Sequence, residues 1–277
     1  MPADAHATHR AVLAWYAEHR RDLPWRRTHD PYAILVSEIM LQQTQVSRVE
    51  PRWRRWMQRW PTVHALAAAA PADAIAEWSG LGYNRRAVNL HRAAVAVVEL
   101  GGFPRTVQEL LTLPGVGPYT AAAVACFAFG AQVAAPDTNA RRVLERAFGD
   151  PHMDPPAGRA NDWNQALFDL GSQVCIARRP RCGACPLAAG CPSRGRTFAP
   201  LRRQPRFEGS FRQRRSVLLR QVVDTGAIDH GTVDAEALAS LVADGLVEVD
   251  GAAVRLPRAA GPPRPSGRPE TAARRPG

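Results

Sequence analysis

Leu113-Pro-Gly-Val-Gly-Pro-Tyr-Thr120 places two glycines between the apolar end of one predicted helix, residues 107–113, and the start of the next, residues 119–129. A glycine-rich turn before a helix N-terminus lets backbone N–H groups approach a phosphate without obstruction from side chains. Gly-x-Gly is also compatible with an ordinary turn between helices. Both interpretations therefore stay open until the rest of the chain is considered.

The chain on both sides of this turn has the apolar spacing of α-helices. Besides the two helices above, the predicted segments are 9–19, 33–46, 49–59, 72–78, 85–100 and 138–148. Short turns rich in glycine and proline separate them, and convincing strand patterns are few. The sequence therefore predicts an all-α body over roughly the first 200 of its 277 residues.

The C-terminal part of the chain has a different pattern. Segments 216–223 and 234–243 predict short helices, and 246–256 alternates like a hairpin with a turn at Asp250-Gly251. This order is typical of a small winged-helix module. Residues 257–277 hold six prolines and almost no large apolar side chain, which predicts a disordered tail.

The charge of the chain is concentrated in one region. The formal net charge is +11, and residues 178–215 contain eleven arginines and a single acidic residue, Glu208. Such a region predicts a polyanionic partner. All 36 basic residues are arginine, so no lysine is present to form a Schiff base with a substrate. The chain shows neither an apolar run of membrane-spanning length nor a secretory signal pattern, which predicts a cytoplasmic protein without membrane contact.

Four of the five cysteines form the pattern Cys175-x6-Cys182-x2-Cys185-x5-Cys191. In a reducing compartment this clustering favours metal ligation over disulfides. Four thiolates suit either a zinc ion or an iron–sulfur cluster, and the single CxxC knuckle is unlike a typical zinc ribbon. Cys126, inside an apolar helix segment, is interpreted as a core residue.

Two acidic residues stand in unusual positions. Glu38 lies in Ile34-Leu-Val-Ser-Glu-Ile-Met-Leu41, which is apolar on almost every helical face. A glutamate there must be protonated, partnered or turned toward a cleft, although an exposed helix position is the alternative. Asp137 occupies the N-cap position of the helix predicted over 138–148, where backbone N–H groups stabilise a negative charge. This position predicts a structural cap, and the same carboxylate is able to stabilise a developing positive charge.

Six segments together resemble the helix-hairpin-helix DNA glycosylases, and within them the MutY-type adenine glycosylases. They are Leu23-Pro-Trp-Arg26, Ser37-Glu-Ile-Met-Leu-Gln-Gln-Thr-Gln-Val46, Gly80-Leu-Gly-Tyr83, Leu113-Pro-Gly-Val-Gly-Pro-Tyr-Thr-Ala121, Asp137-Thr-Asn139 and the cysteine loop. The resemblance spans roughly residues 8–200. It implies an enzyme of base excision repair that flips adenine, mispaired with 8-oxoguanine or guanine, out of duplex DNA and hydrolyses its N-glycosidic bond.

The resemblance assigns the chemistry to two carboxylates. Glu38 matches the general acid that protonates the adenine ring and then helps to activate water. Asp137 matches the carboxylate that stabilises the oxocarbenium-like sugar. Tyr119 and Asn139 match residues that support these groups. Because bifunctional relatives carry a lysine where this chain has Tyr119, we expect a monofunctional glycosylase that leaves an abasic site.

The resemblance also implies the DNA contacts. Gln43 and Tyr83 match positions that enter the base stack or hold the strand. Parts of the lesion and adenine pockets are matched by Arg21, Leu23, Trp25, Arg26, Thr44 and Val46. The backbone phosphates would be held by Pro114, Gly115, Val116 and Gly117. Known members commonly carry a larger C-terminal domain that reads 8-oxoguanine, whereas only about 75 residues follow the predicted cluster lobe, which ends at residue 200.

The cofactor and domain predictions follow from the same resemblance. A [4Fe–4S] cluster is expected on Cys175, Cys182, Cys185 and Cys191. We expect residues 1–29 and 136–200 to form the cluster lobe, 30–135 a six-helix lobe with the hairpin, 201–256 the winged-helix-like module and 257–277 the tail. The expected protein is a monomer. The alternatives are a thymine or uracil mismatch glycosylase and a non-catalytic iron–sulfur DNA-binding regulator.

Overall fold

The computed structural model describes residues 5–199 and 205–258, so the predicted tail lies almost entirely outside the described residues. The described part contains twelve α-helices and three short strands. The helices are α1 (Ala5–His19), α2 (Pro31–Leu41), α3 (Val46–Arg59), α4 (Val63–Ala67), α5 (Pro71–Trp78), α6 (Arg85–Glu99), α7 (Val107–Leu110), α8 (Pro118–Phe129), α9 (Thr138–Phe148), α10 (Ala160–Gln173), α11 (Phe211–Thr225) and α12 (Ala235–Ala243). The predicted all-α body is confirmed, while α4 and α10 were not predicted.

Two clusters of buried apolar residues organise the body. The larger one packs α2 to α8 around Trp56, Trp78 and Leu90. The smaller one packs α1, α9, α10 and the cysteine loop around Trp163. Helix α1 thus packs with α9 and α10, although it lies far from them in the sequence. The division of the chain into two lobes stays a prediction.

One predicted helix boundary is wrong. The helix predicted over 33–46 ends at Leu41, and α3 begins at Val46 after a four-residue turn. Gln43, within that turn, has a φ of 55°, which is incompatible with a right-handed helix. The N–H of Thr44 donates to the Leu41 carbonyl at 3.2 Å and closes the end of α2.

Residues 205–258 form the C-terminal module. Its strands β1 (Ala227–Asp229), β2 (Glu248–Asp250) and β3 (Ala253–Arg255) make an antiparallel sheet in the order β1-β3-β2, against which α11 packs. The predicted hairpin is confirmed as β2 and β3, whereas β1 was not predicted. Within the described residues, the helices are too short or too polar to cross a lipid bilayer.

Candidate active site

A cavity of about 1100 Å³ is lined by residues from helices of both apolar clusters. Most of the predicted site residues meet there. The lining includes Arg21, Leu23, Trp25, Arg26, Glu38, Gln43, Thr44, Val46, Tyr119, Asp137 and Asn139. Tyr83 and the hairpin residues Pro114, Gly115, Val116 and Gly117 do not line the cavity. The folded chain therefore brings together the residues predicted for the chemistry and for the base pocket, which are far apart in sequence.

Glu38 is the buried acid of this cavity. It sits in the last turn of α2 with only 6% of its surface exposed. Burial raises the pKa of its carboxyl group to about 7, although the hydroxyl of Tyr119 opposes the shift by donating a 2.7 Å hydrogen bond to Oε2. Glu38 is thus able to hold a proton at neutral pH and to give it up to a base.

Asp137 is the second carboxylate of the cavity. It caps α9, where its Oδ1 accepts a hydrogen bond from the N–H of Ala140 at 2.6 Å. The side-chain amide of Asn139 donates to the other oxygen, Oδ2, at 2.9 Å. The predicted cap is therefore present. Because the hydrogen bonds and the helix N-terminus fix the group at the cavity wall, the carboxylate is oriented before any substrate arrives.

A chain of hydrogen bonds joins Asp137 to the cysteine loop. Arg142 donates through Nη2 to Oδ1 of Asn139 at 2.8 Å and through Nε to the carbonyl of Cys175 at 2.9 Å. Gly171 of α10 packs tightly against the start of α9. A Cβ at this position would stand 2.7 Å from the Asn139 carbonyl oxygen. A bulkier residue would separate α10 from α9. The orientation of Asp137 thus depends on the packing of the cysteine loop.

A buried ion-pair cluster fixes two arginines at the cavity. Asp169 is fully buried, and its Oδ1 accepts from Arg21 Nε at 2.6 Å and from Arg26 Nη2 at 2.9 Å. Its Oδ2 accepts from Arg26 Nη1 at 2.8 Å and from the backbone N–H of Arg21 at 3.0 Å. Each carboxylate oxygen accepts two hydrogen bonds, and these bonds offset the cost of burying the negative charge. Arg26 is held near Glu38 as a result.

The cavity wall formed by α10 was missed in the sequence. Asn161, Gln165, Phe168 and Ser172 line the cavity, and they are spaced four, three and four residues apart on one helical face. Gln165 is the most informative, because its Nε2 donates to Asn161 at 2.9 Å while its buried Oε1 has no partner. The polar residues at this spacing, Asn161, Gln165 and Ser172, are the signal from which such a face could have been predicted.

The hairpin has the geometry that the sequence predicted for a phosphate site. It joins α7 to α8, whose first helical residue is Pro118. Gly115 has a φ of +78°, and a Cβ there would lie 2.6 Å from Cβ of Asn89. The turn therefore requires glycine on both conformational and steric grounds. It leaves the N-terminus of α8 accessible to an anion.

The four clustered cysteines surround one small apolar cavity. Cys175, Cys182, Cys185 and Cys191 all line it. Burial raises the pKa of the Cys185 thiol, and the other three sulfur groups raise it further. Across the described residues, no group of three or more His, Cys, Asp or Glu side chains has the spacing to hold a single metal ion. Four thiol groups around one cavity are the donor set that an iron–sulfur cluster uses, so the residues present fit such a cluster.

Part of the arginine-rich region is neutralised within the protein. Arg214 pairs with Asp234 and Glu236, and Arg215 pairs with Asp244. These two arginines therefore do not form the basic surface that was predicted for the whole stretch. Helix α12, which corresponds to a reading helix in a winged-helix order, contains no basic residue. Helix α12 therefore offers no positive charge to a nucleic-acid phosphate.

Comparison with known proteins agrees with this geometry. Residues 36–162 match the family described as HhH-GPD superfamily base excision DNA repair protein. Residues 175–191 match the iron–sulfur binding domain of endonuclease III. The fold is similar to a solved thermostable thymine-DNA glycosylase, with a TM-score of 0.62 and 32% identity over 67% of this chain and 94% of that one. An endonuclease III–DNA complex at 24% identity shares the fold, with a TM-score of 0.59 over 67% of this chain and 92% of that one. These matches define a helix-hairpin-helix base excision enzyme with an iron–sulfur domain.

The curated relatives narrow the class. The adenine DNA glycosylase of Mycolicibacterium smegmatis is 46% identical over 86% of this chain and 91% of its own length. The Mycobacterium tuberculosis adenine DNA glycosylase is 41% identical over 89% of this chain and 92% of its own length. The human adenine DNA glycosylase is 42% identical over 70% of this chain but only 40% of its own length. The chain belongs to the adenine DNA glycosylase family, and it spans nearly the full length of these two mycobacterial relatives. It is an N-glycosyl hydrolase of base excision repair that binds DNA and an iron–sulfur cluster.

Proposed function

We propose that this enzyme releases adenine mispaired with 8-oxoguanine or guanine and leaves an abasic site without cutting the strand. The observation that supports it best is Glu38, a buried carboxyl group with a pKa of about 7 in a cavity that also holds Asp137. Two carboxyl groups in different environments provide an acid and a charge stabiliser at the same pH. The absence of lysine from the sequence excludes a lysine Schiff base as a route to strand cleavage.

Glu38 acts first as a general acid. Its proton passes to a ring nitrogen of the flipped adenine, so the electron pair of the breaking glycosidic bond leaves with a neutral base rather than an anion. Asp137 faces the positive charge that develops on the sugar and stabilises it. Water then adds to the anomeric carbon and gives its proton to the Glu38 carboxylate. This transfer restores the starting protonation state.

The pocket contains groups suited to adenine. The unpartnered Oε1 of Gln165 is an acceptor for the exocyclic amino group, which adenine has and thymine lacks. Arg26, fixed by Asp169, supplies N–H donors for the acceptor nitrogens of the ring. The remaining pocket contacts are proposed for Arg21, Leu23, Trp25, Thr44 and Val46. The acceptor of Gln165 favours adenine over a thymine or uracil substrate.

The DNA is held outside the cavity as well. Residues Pro114 to Gly117 and the start of α8 bind backbone phosphates, while Gln43 and Tyr83 occupy the space around the extruded base. Arginines near the cysteine loop, such as Arg178 and Arg194, add non-specific affinity. We propose that a monomer acts on the duplex and that the enzyme works in the cytoplasm at the nucleoid, where its substrate is.

The four cysteines of the small cavity are the proposed ligands of a [4Fe–4S] cluster. When bound, the cluster joins four points of a loop that has few apolar contacts of its own. The chain fixes the surrounding backbone through Arg146, which donates to the Ile176 carbonyl at 2.9 Å and packs over the ring of Phe198. The loop thereby presents its arginines on a stable surface and supports Arg142.

The substrate is tested by single-turnover base release on duplexes that contain A·8-oxoG, A·G, T·G, U·G or A·T, followed by alkaline strand cleavage. Fastest release of adenine opposite 8-oxoguanine supports the proposal and shows that the short C-terminal module suffices for lesion preference. Release from T·G or U·G instead would favour a pyrimidine mismatch glycosylase. Strand scission without alkali would contradict the monofunctional assignment.

A further inference from the structure

Two exposed turns of the body have strained backbones. Gln43 and Tyr83 are the only non-glycine residues with positive φ in the described chain, at 55° and 49°. The first turn, residues 42–45, follows α2, and the second, residues 79–84, joins α5 to α6. Both side chains are exposed, and Gln43 lines the mouth of the cavity. Strained conformations of this kind persist only where the surrounding structure holds them.

A single guanidinium group holds both turns. In the first turn, Arg86 Nη1 donates to the carbonyl of Gln42 at 2.6 Å, and Nη2 lies 3.4 Å from Oγ1 of Thr44. In the second turn, Nη2 donates to the carbonyl of Gly82 at 3.1 Å, and Nε lies 3.4 Å from the carbonyl of Tyr83. The planar fork of arginine has enough donors in fixed directions for such a set, and lysine has not.

The same group also ends the helix that carries the acid. Arg86 Nη1 donates to the carbonyls of Ile39 at 2.8 Å and Met40 at 3.2 Å, in the last turn of α2. Glu38 belongs to that turn. Carbonyls at a helix C-terminus lack intrahelical partners, so a cation there satisfies them and complements the helix dipole. Arg86 is half-buried between the rings of Trp78 and Tyr83 and does not line the cavity, so it reaches the substrate only through other residues.

We propose that Arg86 is a positioning residue that joins the two turns to the end of α2, so that Gln43 and Tyr83 enter the DNA as one rigid unit in fixed relation to Glu38. The proposal rests on the proposed function, because it needs an enzyme that extrudes a base. Arg86 donates to backbone carbonyls in three segments, namely the end of α2, the first turn and the second turn. One side chain thus couples the turn that carries Gln43 to the turn that carries Tyr83. Loss of the fork leaves each turn free to adopt an unstrained conformation.

The test uses the full-length enzyme with its cluster and the variants Arg86→Lys and Arg86→Met. The matched control is Arg85→Met, because Arg85 is the neighbouring, exposed arginine and pairs only weakly with Asp244 at 3.6 Å. We expect both Arg86 variants to lose roughly 10- to 100-fold in single-turnover adenine release, since small misplacements of a reacting group have effects of this size. The thermal unfolding midpoint and the visible absorbance of the cluster should stay close to those of the wild type.

A double-mutant cycle separates positioning from general stability. In the enzyme that keeps Arg86, the losses of adenine release caused by Gln43→Ala and Tyr83→Ala are expected to be strongly non-additive. The double variant should then lose little more than either single variant. In the Arg86→Lys background, the two losses should multiply. Equal coupling in both backgrounds, or release by Arg86→Met within about twofold of the wild type, would overturn the proposal. Unfolding of both Arg86 variants would overturn it too, because it would assign Arg86 to the whole fold. Failure of the wild type to release adenine would instead refute the proposed function.

Discussion

Replacing Tyr119 with phenylalanine is expected to move the alkaline limb of the pH–rate profile to higher pH. The Tyr119 hydroxyl donates a 2.7 Å hydrogen bond to Glu38 and thereby stabilises the carboxylate form. A hydrogen bond to a charged group contributes about 1.5–3 kcal/mol, and one pKa unit corresponds to about 1.36 kcal/mol. Its loss should therefore raise the pKa of Glu38 by about one to two units from its value of about 7.

The sign follows from the role of Glu38 as an acid. Excision needs the protonated carboxyl group, so the rate falls about tenfold for each pH unit above its pKa. At about pH 8.5 the wild type should retain about 3% of its plateau rate, whereas a variant with a pKa of about 8.5 should retain about half. The assay is single-turnover adenine release at saturating enzyme, measured from about pH 5.5 to 9.5.

Tyr32→Phe is the control for this experiment, because the hydroxyl of Tyr32 donates to the Trp60 carbonyl and does not touch Glu38. Its alkaline limb should stay at about pH 7, as in the wild type. An unmoved limb in Tyr119→Phe would refute the hydrogen-bond argument. A limb that moved to lower pH would refute the assignment of Glu38 as the titrating acid.

Four further predictions follow from the site. Cys182→Ser should lose the visible absorbance of the cluster and most DNA affinity, whereas Cys126→Ser, in the core, should keep both; equal behaviour of the two would contradict the ligand assignment. Arg142→Met should slow excision about tenfold with little change in duplex affinity, because Asn139 loses its anchor; an unchanged rate would show that the hydrogen-bond chain is dispensable. Glu38→Gln should gain stability relative to the wild type as pH rises from 4.5 to about 7, by at most about 3 kcal/mol, because the ionised acid is costly to bury; parallel urea-unfolding curves across this range would contradict the raised pKa. Duplex affinity should fall steeply with salt, with a log–log slope near −0.9 per phosphate contact, and a flat response would exclude a basic footprint.

Features that depend on a short stretch of sequence could be predicted from the sequence alone. The two glycines of the hairpin, the cap at Asp137 and the apolar context of Glu38 each limit the chain to few conformations, and each prediction agrees with the structure. The cysteine spacing predicted a shared metal site, and the sulfur groups line one cavity. In these cases the residue types of a short segment limit the conformations that the segment can adopt and the groups that can lie next to it.

Features that depend on distant partners were not predictable. Helix α2 ends at Leu41, where Arg86, more than forty residues away, donates to the neighbouring carbonyls. Apolar periodicity does not show such a partner, and it extended the predicted helix too far. The face of α10 that lines the cavity needed that helix to be recognised first. The pairing of Arg214 and Arg215 with acids of the C-terminal module reduced the predicted basic surface. Only tertiary contacts decide which arginines remain available for DNA.

The role of Glu38 in adenine excision is tested most directly by comparing the wild type with Glu38→Gln on the same A·8-oxoG duplex, measuring adenine release by chromatography and duplex affinity by titration. We expect adenine release by the wild type, loss of release by several hundredfold or more in Glu38→Gln, and duplex affinity that stays within a fewfold. Substantial release by Glu38→Gln would contradict the assignment of Glu38 as the acid. Release by neither protein, with affinity intact, would contradict adenine excision itself.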